Sequence, residues 1–342
     1  MPVQSPVRIG VLGAGWFASR RHCPDIAAHR DAELTALCRR NPEQLAQMAE
    51  AFSVVATFTD YRELLDSDTL DGVLVCSPHD LHYEHAKAAL DKGLHVLVEK
   101  PITLDPDQGR ALVALAAEKD LALVVAQNPP YWSHCRYLRD KIQQGALGEI
   151  EGVAIHWMGN ARGVLGLEPL PDDRPGVVKP TLYRADAAQN GGGALIDGGS
   201  HLVCELLWCT GRKVVAVTAQ MDDADFDLRC ALTLRLDNGA HATLSQCADS
   251  QIRAKRQHSL YYGSAGTAVA RGFPFRVKME SGNAVEQFRE DELRDPPSPV
   301  GNFVDCALGR GGPEIDGEMA VHVVEIINAA TQSAREGRAI TL

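Results

Sequence analysis

The first third of the chain alternates short apolar runs with amphipathic segments, and this alternation restricts the fold more than any other feature. The apolar runs predict buried strands at residues 7–12, 33–38, 72–76, 95–99 and 122–126. The segments between them predict helices at residues 16–28, 42–52, 81–92 and 106–119. Strands that are apolar throughout and joined by helices belong to a parallel sheet covered on both faces. We therefore expect an α/β fold here.

The second half of the chain follows a different pattern. Apolar and polar residues alternate over residues 150–157, 214–220, 228–236, 240–247 and 257–262, as in strands with one solvated face. Asp237-Asn238-Gly239 is a hairpin turn signal between two of these strands. This half is therefore expected to be an α+β domain built on an open, mainly antiparallel sheet.

A proline break separates the two patterns. Asn128-Pro129-Pro130 ends the strand–helix alternation, and a chain of 342 residues exceeds the usual size of a single core. We therefore predict two domains, residues 1–128 and residues 129–342. A helix over residues 320–336 is expected to pack back toward the first domain. Residues 159–180, rich in Gly and Pro, are expected to form a loop over the functional site.

Charge and hydropathy exclude several classes of protein. The net charge of −11 argues against binding of nucleic acid or an anionic membrane, because both need a basic face. No apolar run approaches the length of a membrane span, and no signal peptide is evident. The expected location is therefore the cytoplasm.

No metal is expected from the distribution of cysteine and histidine. Nine cysteines occur without a Cys-x-x-Cys pair, which predicts buried free thiols in a reducing compartment, with a structural zinc site as the alternative. His79, His82 and His85 recur at a predicted helix start. Their spacing spans too wide an arc of one helix for three ligands of a single ion.

A glycine-rich turn joins the first predicted strand to the first predicted helix. It reads Gly13-Ala14-Gly15-Trp16-Phe17-Ala18, which matches the Gly-x-Gly-x-x-Gly/Ala pattern of dinucleotide-binding folds. Gly13 allows the tight turn, Gly15 lets the backbone approach a pyrophosphate, and Ala18 permits close packing of helix against strand. The helix start at Trp16-Phe17 offers N–H groups and a positive dipole to the phosphates. The motif predicts NAD(P) binding, the alternative being a glycine turn without a ligand.

The end of the second strand bears on the choice of cofactor. An acidic residue there would bind the ribose 2′-hydroxyl of NAD, but this chain has Arg39 at about that position, followed by Arg40. A guanidinium attracts a 2′-phosphate, whereas a carboxylate repels it. The sequence thus favours NADP over NAD, while a solvated strand end, or stacking on the adenine of NAD, remains the alternative.

Two short segments contain candidate catalytic residues. Glu99-Lys100-Pro101 follows a buried strand, where ligands of such sheets bind, and a partly desolvated lysine there could exchange protons near neutrality. The glycine-rich run over residues 191–201 leads into an apolar helix. Within it, Asp197 and His201 are spaced i, i+4 and share one helix face. A carboxylate beside an imidazole suits a base that removes a hydroxyl proton.

These motifs together resemble the Gfo/Idh/MocA family of oxidoreductases, named after glucose–fructose oxidoreductase and inositol dehydrogenase. The resemblance covers nearly the whole chain, and its most specific part is the combination of Glu99-Lys100-Pro101 with residues 191–201. The similar segments are residues 11–15, 77–82, 99–101, 145–150, 191–201, 208–211 and 316–317.

The resemblance implies a Rossmann domain followed by an open-sheet domain that binds substrate and forms dimers or tetramers, with substrate in the cleft between the domains. It implies that Lys100, Asp197 and His201 are the catalytic set. It also implies that Pro78 and His82 lie beside the cofactor. Ser77, Glu99 and Lys100 are further candidate cofactor contacts.

The chain departs from the family pattern at two places. Cys204 stands where the family often has an acid three residues after the histidine. Residues 128–132 differ from the usual Asn-x-Arg-Phe, so the substrate pocket could be more aromatic, although aromatic residues are also ordinary core material. The candidate substrate contacts are Tyr131, Trp157, Asn160, Tyr183 and Arg184.

The leading functional prediction is an NAD(P)-dependent dehydrogenase that acts on a secondary hydroxyl or ketone of a sugar or polyol. One alternative is an enzyme with a tightly bound, recycled nicotinamide that supports an isomerase, lyase or glycosidase reaction. A second alternative is a non-enzymatic protein that senses dinucleotides. The retained Lys100, Asp197 and His201 argue against a sensor, because a sensor needs no proton relay.

Overall fold

The computed structural model describes residues 3–170, 172, 174–252 and 254–342, and these residues form two β-sheets with helices. The strands are β1 (Val7–Leu12), β2 (Ala32–Cys38), β3 (Ala56–Phe58), β4 (Gly72–Val75), β5 (His95–Val98), β6 (Leu123–Val125), β7 (Ile150–Met158), β8 (Val214–Met221), β9 (Arg229–Leu236), β10 (His241–Cys247), β11 (Arg256–Gly263), β12 (Gly266–Gly272), β13 (Arg276–Ser281), β14 (Ala284–Arg289) and β15 (Ile340–Thr341).

Helices of three types connect the strands. The α-helices are α1 (Cys23–Ala28), α2 (Pro42–Phe52), α3 (Tyr61–Leu65), α4 (His82–Asp91), α5 (Pro106–Glu118), α6 (Ser133–Gln143), α7 (Ala187–Asn190), α8 (Ser200–Thr210), α9 (Pro299–Ala307) and α10 (Gly317–Glu336). Two segments of π-helix, Ala18–His22 and Leu195–Gly199, precede α1 and α8. Short 3₁₀ turns lie at His79–Leu81, Pro129–Tyr131, Tyr183–Ala185 and Glu290–Glu292.

The described residues form two compact units. The first unit consists of Met1–Gln127, Glu168–Gly191 and Pro297–Val321. The second unit consists of Asn128–Leu167, Gly192–Pro296 and His322–Leu342. Two later segments thus belong to the first unit by their contacts, which no local pattern in the sequence indicates. The division into domains at residue 128 stays a prediction.

The sheet of the first unit is parallel throughout, in the order β3-β2-β1-β4-β5-β6. Its central strands β4 and β5 are buried at every residue, which explains their continuous apolar sequence. This order, in which the chain reverses direction across the sheet beside β1, is that of dinucleotide-binding folds. The predicted α/β Rossmann fold is therefore confirmed.

Polar side chains cap the helices that follow β2 and β3. The side chain of Asn41 accepts a hydrogen bond from the backbone N–H of Gln44 (2.9 Å), and Pro42 opens α2. Asp60 caps α3 by accepting from the backbone N–H of Arg62 (2.8 Å). Helix α2 has the bounds that the sequence predicted, whereas β3 and α3, with three and five residues, were not predicted. Elements this short give too little periodicity to detect.

The sheet of the second unit has the order β14-β13-β12-β11-β7-β10-β9-β8-β15, and β7 with β10 is its parallel pair. β9 alternates exposed and buried residues along its whole length, as a strand with one solvated face should. Gly239, with a φ of +88°, completes the predicted hairpin turn between β9 and β10. The open, mainly antiparallel sheet is confirmed. β12, β13 and β14 were missed; the last is largely exposed and lacks an apolar face.

Helix α8 is an apolar helix of the second unit. Every one of its residues except His201 is buried, and α8 packs against α6 and β7. A helix that is apolar on all sides belongs in a core. Among the described residues, no helix combines the length and hydropathy that crossing a bilayer would require.

Candidate active site

A glycine turn links β1 to the π-helical segment Ala18–His22 in the first unit. Gly13 has a φ of +82°, which residues with a Cβ rarely adopt. A Cβ at Gly13 would lie 2.5 Å from the backbone nitrogen of Ser77, which follows β4. The backbone N–H of Gly13 donates to the carbonyl of Cys38 at the end of β2 (3.1 Å). The turn thus holds three strand ends together, as a dinucleotide-binding turn does.

The glycine turn borders a cavity of about 820 Å³ within the first unit. Ligand pockets usually enclose about 300–1,000 Å³, so this volume suits a cofactor. The structure brings most of the predicted cofactor residues to the wall of this cavity, and their contact with a dinucleotide stays a prediction. The predicted residues in the wall are Gly13, Gly15, Trp16, Phe17, Arg39, Arg40, Ser77 and Pro78.

Arg39 forms the part of the wall beside the glycine turn. Its Nη1 donates to the carbonyl of Ala14 at 2.9 Å, and its Nη2 donates to the side chain of Gln44. Its Nε is buried and has no hydrogen-bond partner among the described residues. Burial lowers the pKa of Arg39, but a guanidinium stays charged at ordinary pH. A half-buried guanidinium with an unused donor fits an anionic group of a bound nucleotide.

Three further predicted cofactor residues, His82, Glu99 and Lys100, do not line this cavity. His82 is fully buried, and its ring nitrogens lie 2.7 Å from the carbonyl oxygen of Pro101 and 3.0 Å from that of Ser77. Burial lowers the pKa of His82. Its contacts connect the segments that follow β4 and β5, so His82 supports the cavity wall from inside the unit.

Lys100 follows β5, and its neighbour Glu99 contacts His22 at the end of the π-helical segment Ala18–His22. The Oε1 of Glu99 lies 2.6 Å from Nε2 of His22, and its Oε2 accepts from the backbone N–H of Lys100 (3.2 Å). His22 is 1% exposed and Lys100 is 8% exposed. Glu99 therefore fixes the backbone from which the Lys100 side chain extends. His22 was not among the residues predicted for the site, because nothing in the local sequence marks a partner 77 residues away.

Tyr183 and Arg184, predicted as substrate contacts, lie in the wall of the same cavity as the glycine turn. The ring of Tyr183 meets the ring of His79 edge to face at 5.4 Å. The guanidinium of Arg184 lies over the Tyr183 ring at 4.6 Å. His79 also bonds through Nδ1 to the carbonyl of Asn190 (2.9 Å). This wall offers aromatic and cationic groups to a nucleotide as well as to a substrate, and the substrate assignment stays a prediction.

Trp16 reaches the segment that was expected to form a loop. Its Nε1 donates to Oδ2 of Asp172 (3.0 Å), and Arg174 donates from Nε to Oδ1 of the same carboxylate (2.7 Å). Arg174 holds the pKa of Asp172 well below its usual range. Residues 171 and 173 of the predicted loop lie outside the described residues. Asp172 is a contact that the sequence did not indicate.

In the second unit, the glycine-rich segment is clamped by Asp227. A Cβ at Gly193 would lie 2.1 Å from the carbonyl oxygen of Asp227, so only glycine fits there. That carbonyl accepts from the backbone N–H of Ala194 (2.7 Å), and Oδ2 of Asp227 accepts from that of Leu195 (2.9 Å). Burial, followed by the charge of Asp222, raises the pKa of Asp227 to about 6. Asp227 thus caps the helical segment that contains Asp197.

His201 is the accessible residue of an otherwise buried helix. Its Nδ1 lies 3.5 Å from the backbone nitrogen of Asn128, and its Nε2 lies 3.2 Å from the amide nitrogen of the same residue. The ring of Trp132 lies 5.9 Å away. Asp197 lies one turn earlier and is 7% exposed. A polar group that is kept accessible on an apolar helix is typical of a functional site.

The remaining substrate candidates of the second unit do not share one cavity. Tyr131, 9% exposed, borders a cavity of about 650 Å³ together with Trp132. Trp157 borders another, of about 290 Å³. Asn160 pairs with Asp249 in an isolated bridge, and its Oδ1 accepts from the backbone N–H of Arg162 (3.0 Å). The structure thus places Tyr131 and Trp157 in the walls of separate cavities, and their contact with substrate stays a prediction.

Comparison with known proteins places the chain in a family. Residues 7–127 match the model for "Oxidoreductase family, NAD-binding Rossmann fold", and residues 135–269 match the model for the "GFO/IDH/MocA C-terminal domain". The chain therefore belongs to the Gfo/Idh/MocA family of NAD(P)-dependent oxidoreductases. The resemblance stated from its motifs is confirmed.

Individual relatives are similar over their full length. D-glucoside 3-dehydrogenase of Escherichia coli K12 is 25% identical over 99% of this chain and 98% of its own. The dTDP-3,4-didehydro-2,6-dideoxy-alpha-D-glucose 3-reductase of Saccharopolyspora spinosa is 28% identical over 98% and 99%. The structure of aldose-aldose oxidoreductase from Caulobacter crescentus, complexed with glycerol, has a TM-score of 0.81 at 21% identity, covering 98% and 99%. That likeness shows the shared fold.

Replacing Asp227 by asparagine should change how stability depends on pH. The pKa of Asp227 is raised in the folded state, to about 6 from 3.8, so its contribution is complete below pH 3.8 and is lost as pH rises through 6. The asparagine side chain would still accept the Leu195 N–H but would not titrate. Between pH 5 and pH 8, the free energy of unfolding of the wild type should therefore fall by about 1.4 kcal/mol relative to that of D227N.

Urea unfolding at the two pH values measures this difference. Asp237→Asn, a change in an exposed hairpin turn, is the matched control and should give the same difference from wild type at both pH values. A D227N difference that does not vary with pH would show that Asp227 does not titrate in this range.

Proposed function

We propose that this protein transfers a hydride between a nicotinamide and a secondary hydroxyl or ketone of a sugar, a polyol or a sugar derivative. The observation that supports it best is a lysine, 8% exposed, whose backbone is fixed by Glu99 at the end of β5 in a unit with a nucleotide-sized cavity. The named sugar dehydrogenase and sugar-nucleotide reductase among its relatives support the substrate class.

Lys100, Asp197 and His201 divide the proton chemistry in this proposal. A bound nicotinamide supplies the hydride acceptor for oxidation or the donor for reduction. His201 removes the proton from the substrate hydroxyl, since an imidazole exchanges protons near neutral pH. Asp197 stabilises the charge that His201 gains, and the Lys100 ammonium stabilises the negative charge that develops on the substrate oxygen. Reduction of a ketone uses the same groups in reverse.

Replacing His201 by asparagine tests the role of the base. The amide cannot accept the proton, so turnover should fall by about 10²–10⁴-fold. Affinity for the cofactor should be unchanged, because the cofactor cavity belongs to the first unit. Nicotinamide absorbance against a panel of sugars, inositols, sugar acids and their keto forms gives the rate, and fluorescence titration gives the affinity.

Lys100→Met tests the role of the ammonium group and should also lower kcat by about 10²–10⁴-fold. His241→Asn is the control, because His241 is an exposed histidine on β10 of the same unit as His201. Wild-type turnover in either the His201 or the Lys100 variant would refute the assignment of that residue.

NADP is proposed as the preferred cofactor. Four guanidinium groups, those of Arg39, Arg40, Arg62 and Arg184, line the cavity, and the Nε of Arg39 has an unused donor. Two carboxylates are also in the wall: Asp60 accepts from the backbone N–H of Arg62, and Glu84 pairs with the Arg62 guanidinium at 3.5 Å. A cluster of positive charge with bidentate donors favours a 2′-phosphate over a 2′-hydroxyl.

Arg39→Gln should lower kcat/KM for NADP by about 10–100-fold, the value of one or two charge-assisted hydrogen bonds, and should change kcat/KM for NAD little. Initial rates with both cofactors give the two values. Arg110→Gln, on the exposed face of α5, is the control. A tenfold preference of the wild type for NAD would exclude the proposal.

A homodimer or homotetramer is proposed through the outer face of the second sheet. Met158 on β7 and Tyr262 on β11 lie there with 45% and 46% exposure, although large apolar side chains are usually covered. Light scattering on the purified protein should give two or four times the mass of 37.0 kDa for one chain. Met158→Lys should shift the mass toward the monomer, whereas a monomeric wild type would contradict the proposal.

A reducing compartment, the cytoplasm, is proposed as the location. All nine cysteines are free thiols, and most of them are buried. Unpaired thiols in this number are typical of proteins that function where disulfides do not form.

A further inference from the structure

His134 is a buried histidine whose ring nitrogens lack partners. It lies in the first turn of α6 and is fully buried, and neither Nδ1 nor Nε2 has a hydrogen-bond partner among the described residues. Its ring stacks on Phe275 at 3.5 Å and on Trp132 at 5.6 Å, so its plane is fixed. Buried polar groups almost always have a partner, and an exception calls for a water, an ion or another specific cause.

Two potential metal ligands lie beside this ring. A ring nitrogen of His134, the sulfur of Cys135 and a carboxylate oxygen of Glu205 all lie within 4.8 Å of one another. All three residues are completely buried. A structural zinc site with these donors needs neighbouring ligand atoms roughly 3.5 Å apart, because metal–ligand bonds of about 2.0–2.3 Å point to the corners of a tetrahedron. The three donors, which lie at most 4.8 Å apart, therefore need to approach one another by up to about 1.3 Å.

Cys209 is the candidate for a fourth ligand, although its sulfur must move toward the other donors, because it does not lie within 4.8 Å of all three. It follows Glu205 by four residues on α8, so the two share one helix face. Its sulfur lies 3.7 Å from the carbonyl oxygen of Cys135, and α6 packs against α8. Each helix thus provides two donors, an adjacent His-Cys pair on α6 and a Glu-x-x-x-Cys pair on α8.

The carboxylate of Glu205 is held in place by the sheet of the same unit. The hydroxyl of Tyr261 donates to Oε1 (3.0 Å), and Nε2 of Gln257 donates to Oε2 (2.7 Å). Such second hydrogen bonds orient the carboxylates that bind metals. Each oxygen of a carboxylate has two lone pairs, so these bonds leave capacity for a metal.

We propose that His134, Cys135, Glu205 and Cys209 form a structural binding site for zinc or a similar divalent transition metal, linking α6 to α8. One nitrogen, two sulfur and one oxygen donor suit Zn²⁺ or Co²⁺, whereas Ca²⁺ and Mg²⁺ require oxygen ligands. A cysteine binds zinc as the thiolate, so metal binding releases a proton from each thiol ligand. Because every donor is buried, the metal enters while the chain folds.

The first experiment measures metal in the intact protein. The full chain is expressed in medium supplemented with zinc or with cobalt, purified by gel filtration in metal-free buffer, and measured by inductively coupled plasma mass spectrometry. We expect about one ion per chain, and intense thiolate-to-cobalt absorption in the cobalt form. Less than about 0.1 ion per chain from zinc medium would overturn the proposal and would leave a metal-free network of thiols and a carboxylic acid.

The second experiment locates the ion. Cys135→Ser and Glu205→Gln should each lower the metal content at least about tenfold. Cys230→Ser is the matched control, a buried thiol on β9 outside the cluster, and should keep the full content. Full metal content in both cluster variants would also overturn the site. If neither variant folds, the ion stoichiometry and cobalt spectrum of the wild type decide the question alone.

Discussion

A steric limit at Gly13 governs the construction of the first unit. The backbone nitrogen of Ser77 would lie 2.5 Å from a Cβ at this position, far inside any normal contact. The ends of β1, β2 and β4 can therefore converge only if residue 13 has no side chain. That convergence leaves a cavity at the carboxyl ends of the strands, which is where parallel sheets bind their ligands.

In the second unit, too, close contacts leave no room for a side chain at a glycine. Gly193 has no room for a Cβ because the carbonyl oxygen of Asp227 would lie 2.1 Å away. The side chain of Gln246 approaches the next glycines, where a Cβ at Gly199 would lie 2.4 Å from its Oε1. Gly193 is required by the backbone of Asp227, whereas a side chain at Gly199 would require Gln246 and Leu195 to move. These contacts hold the helical segment that contains Asp197 against its neighbours.

The sequence predicted the elements of both sheets well where burial imposed a pattern. β4 and β5 are apolar throughout because both of their faces are covered. β9 alternates strictly because one of its faces is exposed to solvent. Among the strands that were missed, β3 is short and β14 is largely exposed, so packing imposes no clear period on either. β12 and β13 are partly buried and β13 alternates, so their patterns were present but were not recognised as strands.

The candidate site was predictable only in part, because its residues form pairs that are distant in the chain. Motifs identified Glu99, His201 and the glycine-rich segment, but not their partners. His22 pairs with Glu99 across 77 residues, and Asp227 caps Leu195 across 32 residues. Nothing in a local pattern specifies such a pair, since the fold alone brings the two residues together.

The charge of the chain illustrates why local geometry must decide ligand preference. A net charge of −11 would suggest that an anionic cofactor is repelled. At physiological ionic strength, however, exposed charges are largely screened beyond about 8 Å. Four guanidinium groups and the two carboxylates of Asp60 and Glu84 line the cavity itself, so its wall has a net positive charge. Arg39 is half-buried, and screening is weaker there. The local charge of the wall therefore outweighs the distant acidic surface, and an acidic protein can hold a phosphate-bearing cofactor.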